Sequence, residues 1–253
     1  MRTIKKVASH IFIDGFGGMT QGLFATLIIG TMIQQIGLLI GGSTGNVIYL
    51  LGKAAAALTS AGIGVGVAVK YGESPLVTVS AAVAAMVGGY AGKITGGTFF
   101  VDGNAVLAGP GEPLGAFIAA FAGITCGHLV SGKTKVDIIV TPVITIGAGS
   151  VVGLLVGPPI SQMMTGLGSI INWATEQRPF IMGIVVSVVM GMVLTLPISS
   201  AALGIILNLS GLAAGAATIG CCCNMVGFAV ASYRENKFGG LVAQGLGTSM
   251  LQV

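Results

Sequence analysis

Charge is what this chain most lacks. Of 253 residues only 7% are Asp, Glu, Lys or Arg, whereas 54% are hydrophobic. A soluble domain carries about 25% charged residues to cover its surface, so eighteen charges exclude an ordinary water-soluble globule. No charged residue occurs from Gly15 to Gly52, from Pro113 to Gly132, from Ile138 to Thr175 or from Pro179 to Tyr233. A helix needs roughly 20 apolar residues to cross the hydrocarbon core of a bilayer, so these intervals hold several spans. Cysteine is scarce as well. The four (126, 221, 222 and 223) offer no zinc-ligand spacing, since three are adjacent and no second Cys or His cluster completes a set. They read as small, polarisable packing residues. Catalytic signatures are missing too: there is no Walker loop, nucleophile elbow, HExxH or carboxylate pair with an adjacent base. Transport or sensing fits better than bond-making chemistry, and no cofactor is expected.

Glycine is abundant, at 43 residues. The apolar runs are continuous, unlike the alternating strands of a membrane barrel, so the chain reads as an all-α, polytopic integral membrane protein. Small residues let membrane helices approach closely. Gly18/Gly22, Gly37/Gly41, Gly149/Gly153 and Gly211/Gly215 all have the four-residue spacing that suits such contacts.

The net charge of +4 does not imply nucleic-acid binding, because the basic residues sit between apolar runs. Arg2, Lys5 and Lys6 precede the first span, Lys133 and Lys135 form a short loop, and Arg234 and Lys237 form another. Short Lys/Arg-bearing loops mark the cytoplasmic side. The first apolar stretch is too long for a signal peptide and lacks a small-residue cleavage site, so it reads as an uncleaved span. The expected spans are about 16–40, 54–70, 75–92, 113–131, 138–156, 180–197 and 201–219, with further apolar pieces at 220–232 and from 239. Four spans before the 131–137 loop place both that loop and the N-terminus in the cytoplasm. Gly157-Pro158-Pro159 is expected to end one span, leaving 160–175 re-entrant or interfacial. The chain ends inside an apolar run, "GGLVAQGLGTSMLQV", so a truncation before the last spans is expected.

Polar groups within a membrane are costly and default to functional candidates. Most fall in "ITGGTFFVDGNAVLAGPGEP", residues 94–113, which is too broken for one helix. Irregular backbone survives at membrane depth only where protein or a water-filled cavity surrounds it. Asp102, Asn104 and Glu112 there offer the donors and acceptors that hold a hydroxyl-rich solute. The alternative is a solvated extracellular loop. Pro113 suits a first helical turn, which puts Glu112 at that helix's positive end. Asn224 lies in an uncharged stretch as a ligand group or an interhelical hydrogen bond. Ser199 and Ser200, after Pro197, line a cavity or bond back to their helix. His128 reads as a plain helix-end histidine.

These residues resemble a known family. Gly109-Pro-Gly-Glu112-Pro113 resembles the Gly-x-x-Glu-Pro motif of sugar-permease IIC subunits of the bacterial phosphotransferase system. From about residue 90 onward the chain is similar to a compact IIC-like family that includes proteins named as regulators of perfringolysin expression. "GPGEPLGAF", "SGKTKVDIIVTP", "GPPIS", "MGMVLTLPISSAALG" and "VASYRENKFGGLVAQGLGTSMLQ" carry the likeness. The resemblance implies a single IIC-like transmembrane domain over residues 1–253, a Gly-rich helical bundle with broken or re-entrant helices, and a homodimer. It implies a multi-pass protein of the bacterial inner membrane that binds and translocates a small polar solute, sugar or sugar-like, with Glu112 on the substrate hydroxyls. A separate IIB-type phosphocarrier is an implied partner. The competing expectation is a membrane sensor or regulator that moves no solute.

Overall fold

Helices follow the apolar runs, and glycines decide how closely they pack. The computed structural model describes residues 14–101, 103–107, 109–195, 204, 207, 209–242 and 244–245. They divide into two compact units, Met1–Gln162 and Met163–Val253. Among the described residues, four helices are long and apolar enough to cross a membrane, and a bent pair of helices makes a fifth candidate.

In the first unit, α1 runs from Phe16 to Ile40 and includes a π-helical turn at Phe24–Ile28. Gly41 and Gly42, both with positive φ, reverse the chain. Next come α2 (Gly42–Ala57) and α3 (Thr59–Lys70), bent by 53° at their junction. α1 lies antiparallel against both. Its glycines 18, 22, 30 and 37 face glycines 66, 62, 52 and 45 of the bent pair, backbone to backbone. Two α-helical turns take about 7.2 residues, yet Gly22 and Gly30 are eight apart. The π turn between them absorbs the extra residue, so one stripe of α1 stays against its partner throughout.

Beyond Gly72 the chain forms α4 (Pro75–Gly89), started by Ser74 as N-cap and Pro75 in the first turn. A short α5 (Ala91–Thr95) leads into an antiparallel hairpin of β1 (Phe100–Val101) and β2 (Asn104–Ala105). Helix α6 (Pro113–Val130) then packs on α3 and α4 through fully buried alanines 81, 84, 85, 116, 119 and 120. The 131–136 loop is closed by Asp137, whose Oδ1 accepts from Gly132 N at 2.9 Å and from Thr141 Oγ1 at 2.6 Å. His128, in the last turn of α6, pairs with Glu73 at 2.9 Å.

α7 spans Asp137–Gln177 without interruption, passing through Pro142, Pro158 and Pro159. The helix therefore does not break at residues 157–159, and 160–175 is helical. The ring of Pro158 would normally push the preceding residue out of the helical region by clashing with its Cβ. That residue is Gly157, which has no Cβ; Pro142 and Pro159 follow Thr141 and Pro158, so this relief applies to Pro158 alone. Five of the eight expected glycines are in close contact: Gly18 and Gly22 against α3, Gly37 against α2, Gly149 against Ala119 O, and Gly153 against Gly88 Cα. Gly41 is a turn residue, and among the described residues nothing lies within 4 Å of a Cβ built on Gly41, Gly211 or Gly215.

In the second unit, α8 (Pro179–Val193) and α9 (Gly211–Ala231) lie side by side. Gly220 packs on the Ser187 backbone, and Gly191, one turn on, reaches Asn224 Cβ, so the two helices run parallel. The expected break near residue 220 does not exist, since 211–231 is one helix. The basic loop expected at 234–237 is instead α10 (Tyr233–Val242), kinked at Lys237 with φ 52°.

Candidate functional site

The bend between α2 and α3 places a short irregular stretch of backbone at the heart of the first unit. Leu58, at φ −86° and ψ 10°, separates the two helices. Thr59 and Ser60 follow, both with no solvent exposure. The C-terminal end of α4 (Gly89, Tyr90) and the loop that precedes α6 (Gly109 to Glu112) converge on this bend.

The loop folds as it does because Gly109 (φ +80°) and Gly111 (φ +76°) adopt conformations that side chains rarely tolerate. A Cβ on Gly111 would also collide with the Ser60 hydroxyl. Three hydrogen bonds then fix the loop. Tyr90 donates its hydroxyl proton to Gly109 O, Ser60 Oγ donates to Pro110 O at 2.9 Å, and Glu112 N donates to Gly89 O at 2.7 Å.

Glu112 is the N-cap of α6, and Pro113 occupies its first turn, as the sequence predicts. The carboxylate accepts from Leu114 N at 3.4 Å. A carboxylate has about four acceptor positions, so most of its capacity stays uncommitted among the described residues. It precedes the spanning residues of α6, and burial pushes its pKa above the ordinary carboxylate value, against the smaller lowering effect of the Leu114 amide. The positive end of α6 lies at this carboxylate. Site and helix terminus together form a half-buried acceptor that can be shared between a helix and a hydroxyl-bearing ligand.

Asn104 sits on β2, opposite Val101 in the hairpin register, and is exposed. Tyr90, Phe99 and Phe100 form a chain of aromatic contacts beside the same loop, with ring centroids 5.3 and 4.9 Å apart. Lys93 Nζ lies 5.4 Å from the centre of the Tyr90 ring. Asp102, Ser199 and Ser200 fall outside the described residues. Asn224 belongs to the second unit, on α9, where its Cβ faces Gly191 of α8. That unit also holds a groove of about 450 Å³ between α8 and α9, bordered by Thr175, Phe180, Ser187, Gly211, Gly215 and Ile219. Its lining is overwhelmingly apolar, so it lacks the acceptors that distinguish the Glu112 loop.

Sequence reasoning passed over Tyr90 and Ser60. Their one signal is chemical: a hydroxyl in an apolar run needs a partner once buried, and both find theirs in this loop. Among the described residues, no group of three or more His, Cys, Asp or Glu side chains is placed to hold a metal ion.

The sequence model of a family described as "Phosphotransferase system, EIIC" matches residues 13–253. No curated protein and no solved structure matches the chain significantly.

Proposed function

Because the chain belongs to the phosphotransferase-system EIIC family, whose members are membrane components of sugar permeases, we propose that it binds a small polar solute through Glu112 and carries it across the bacterial inner membrane. The solute is a sugar or sugar-like polyol. The family match runs through both compact units, and we read them as parts of one transmembrane domain. In this reading the N-terminus and the Lys133/Lys135 loop face the cytoplasm, the protein works as a homodimer, and a separate IIB-type carrier supplies phosphate where uptake is coupled. Asn104 on the neighbouring hairpin and, from the sequence, Asp102 are the further polar candidates of this half. Asn224, Ser199 and Ser200 are the candidates of the C-terminal half.

One observation carries the proposal: among the described residues, the half-buried Glu112 carboxylate has a single, long hydrogen bond, to Leu114 N. Capping alone does not explain a glutamate there, because Ser, Thr, Asp and Asn are the side chains that cap well. A longer carboxylate with most of its acceptor positions open among the described residues suits a solute's hydroxyls.

The test compares Glu112→Gln and Glu112→Asp against wild type. A panel of hexoses, pentoses and hexitols is screened by thermal shift on purified protein, since a ligand that binds the folded state raises its apparent stability. Expected is a loss of the shift and of uptake in Glu112→Gln, with membrane expression preserved. A purely capping glutamate predicts that Glu112→Asp keeps full binding. Normal binding and transport in Glu112→Gln places the site elsewhere. Binding without flux in proteoliposomes selects the sensor or regulator reading.

A further inference from the structure

The loop that carries Glu112 is held by residues from both sides of a bend. Tyr90 is 1% exposed, so water does not compete for its hydroxyl. That hydroxyl donates to Gly109 O in the loop and reaches Ala57 O, the last residue of α2, at 3.3 Å. Ser60, in the first turn of α3, holds the adjacent carbonyl of Pro110. Gly89, one residue before Tyr90, accepts the Glu112 amide. A phenol has one proton to give. In the observed arrangement it goes chiefly to Gly109 O, the nearer of the two, and Ala57 O takes the weaker share.

We propose that Tyr90 is a positioning residue that ties the Glu112 loop to the bend between α2 and α3, so that a change of angle at the bend displaces the loop and a displaced loop changes the angle. Tyr90 is on neither α2 nor α3, yet its hydroxyl touches the end of one, and the loop it anchors is anchored again on the other. Without that hydroxyl the link between Gly109 O and Ala57 O is gone, at the cost of a part-buried hydrogen bond. The functional consequence, that solute at Glu112 is felt at the bend, rests on the solute-binding reading. The mechanical coupling itself does not, and is tested with no solute present.

Spin labels at Val47→Cys on α2 and Val69→Cys on α3, both exposed positions, report the angle of the bend. The four native cysteines are replaced by alanine in the full-length protein. Tyr90→Phe keeps the ring and its packing and removes only the hydroxyl. Its label-to-label distance distribution should broaden or shift relative to the parent, and amide exchange at Glu112 should accelerate roughly fivefold, the effect of one lost hydrogen bond. A role confined to the loop would change the exchange and leave the distance alone. Tyr71→Phe removes a phenol hydroxyl just beyond the far end of α3 and should change neither readout. If Tyr90→Phe does not fold, Ser60→Ala removes the other donor and is judged by the same two readouts. A distance distribution that superimposes on the parent's overturns the proposal. Normal solute handling by Glu112→Gln would overturn the solute reading while leaving this result intact.

Discussion

Gly18→Ala tests whether the α1 seam is as tight as its geometry implies. A Cβ at residue 18 would lie 2.6 Å from Gly66 O and 2.7 Å from Val67 Cα, where ordinary contact begins at 3.4 Å. The shortfall of roughly 0.8 Å cannot be relieved by a rotamer change, because the opposing atoms are backbone; α3 itself must move. Overpacking of this kind costs about 1–3 kcal/mol. Gly17→Ala is the internal control, one residue away, where the nearest atom is the flexible Lys70 Cε at 3.9 Å. Both substitutions gain about 1 kcal/mol of helix propensity, so their difference isolates the contact. Thermal unfolding of detergent-purified protein, followed by far-UV circular dichroism at one scan rate, should place Gly18→Ala roughly 2–12 °C below Gly17→Ala, at about 2–4 °C per kcal/mol for a chain of this size. If Gly18→Ala unfolds at or above the temperature of Gly17→Ala, the seam is not backbone to backbone.

Two further outcomes follow from other parts of the first unit. Deleting Ala25 from the π turn shortens the Gly22 to Gly30 spacing to seven residues, close to two α-helical turns, so folded yield should survive. Deleting Thr31, between Gly30 and Gly37, turns Gly37 away from Tyr49 and Gly45 and should abolish folding; equal yields of the two deletions refute the role given to the π turn. Burial raises the Glu112 pKa in the folded state, so the folded protein binds the proton more tightly than the unfolded one. The resulting stability is present below the ordinary carboxylate pKa and is lost as pH rises through the raised value. The unfolding temperature of wild type relative to Glu112→Gln should therefore fall across that window, and a constant difference would refute the burial of the charge.

Much of this architecture was legible because apolar run length and charge placement are local properties. The first span, expected at 16–40, is helix Phe16–Ile40, and the lysine loop at 131–136 separates α6 from α7. The Glu112–Pro113 helix start was readable from proline chemistry alone. The stretch 41–52, "GGSTGNVIYLLG", was not, since it opens on six small or polar residues of loop composition. Gly45 and Gly52 are helical there because they meet Gly37 and Gly30 across the seam, a long-range fact that outweighs local propensity. Gly157-Pro-Pro misled for the opposite reason, as a local stop signal that the helix runs through. In the site, Glu112 and Asn104 were visible as polar groups in apolar surroundings. Tyr90 and Ser60 were not, because the anchors they form lie 19 and 50 residues away along the chain, and no spacing rule reaches so far.

The pairing of α1 with α2 and α3 also orders events during synthesis. The chain leaves the ribosome N-terminus first, and the seam joins elements that are consecutive in sequence. Residues 16–70 can thus close on themselves before Gly109 has been made. The floor of the site, with Ala57 and Ser60 already in place, exists as a mould when the Glu112 loop emerges, and the loop is cast against it.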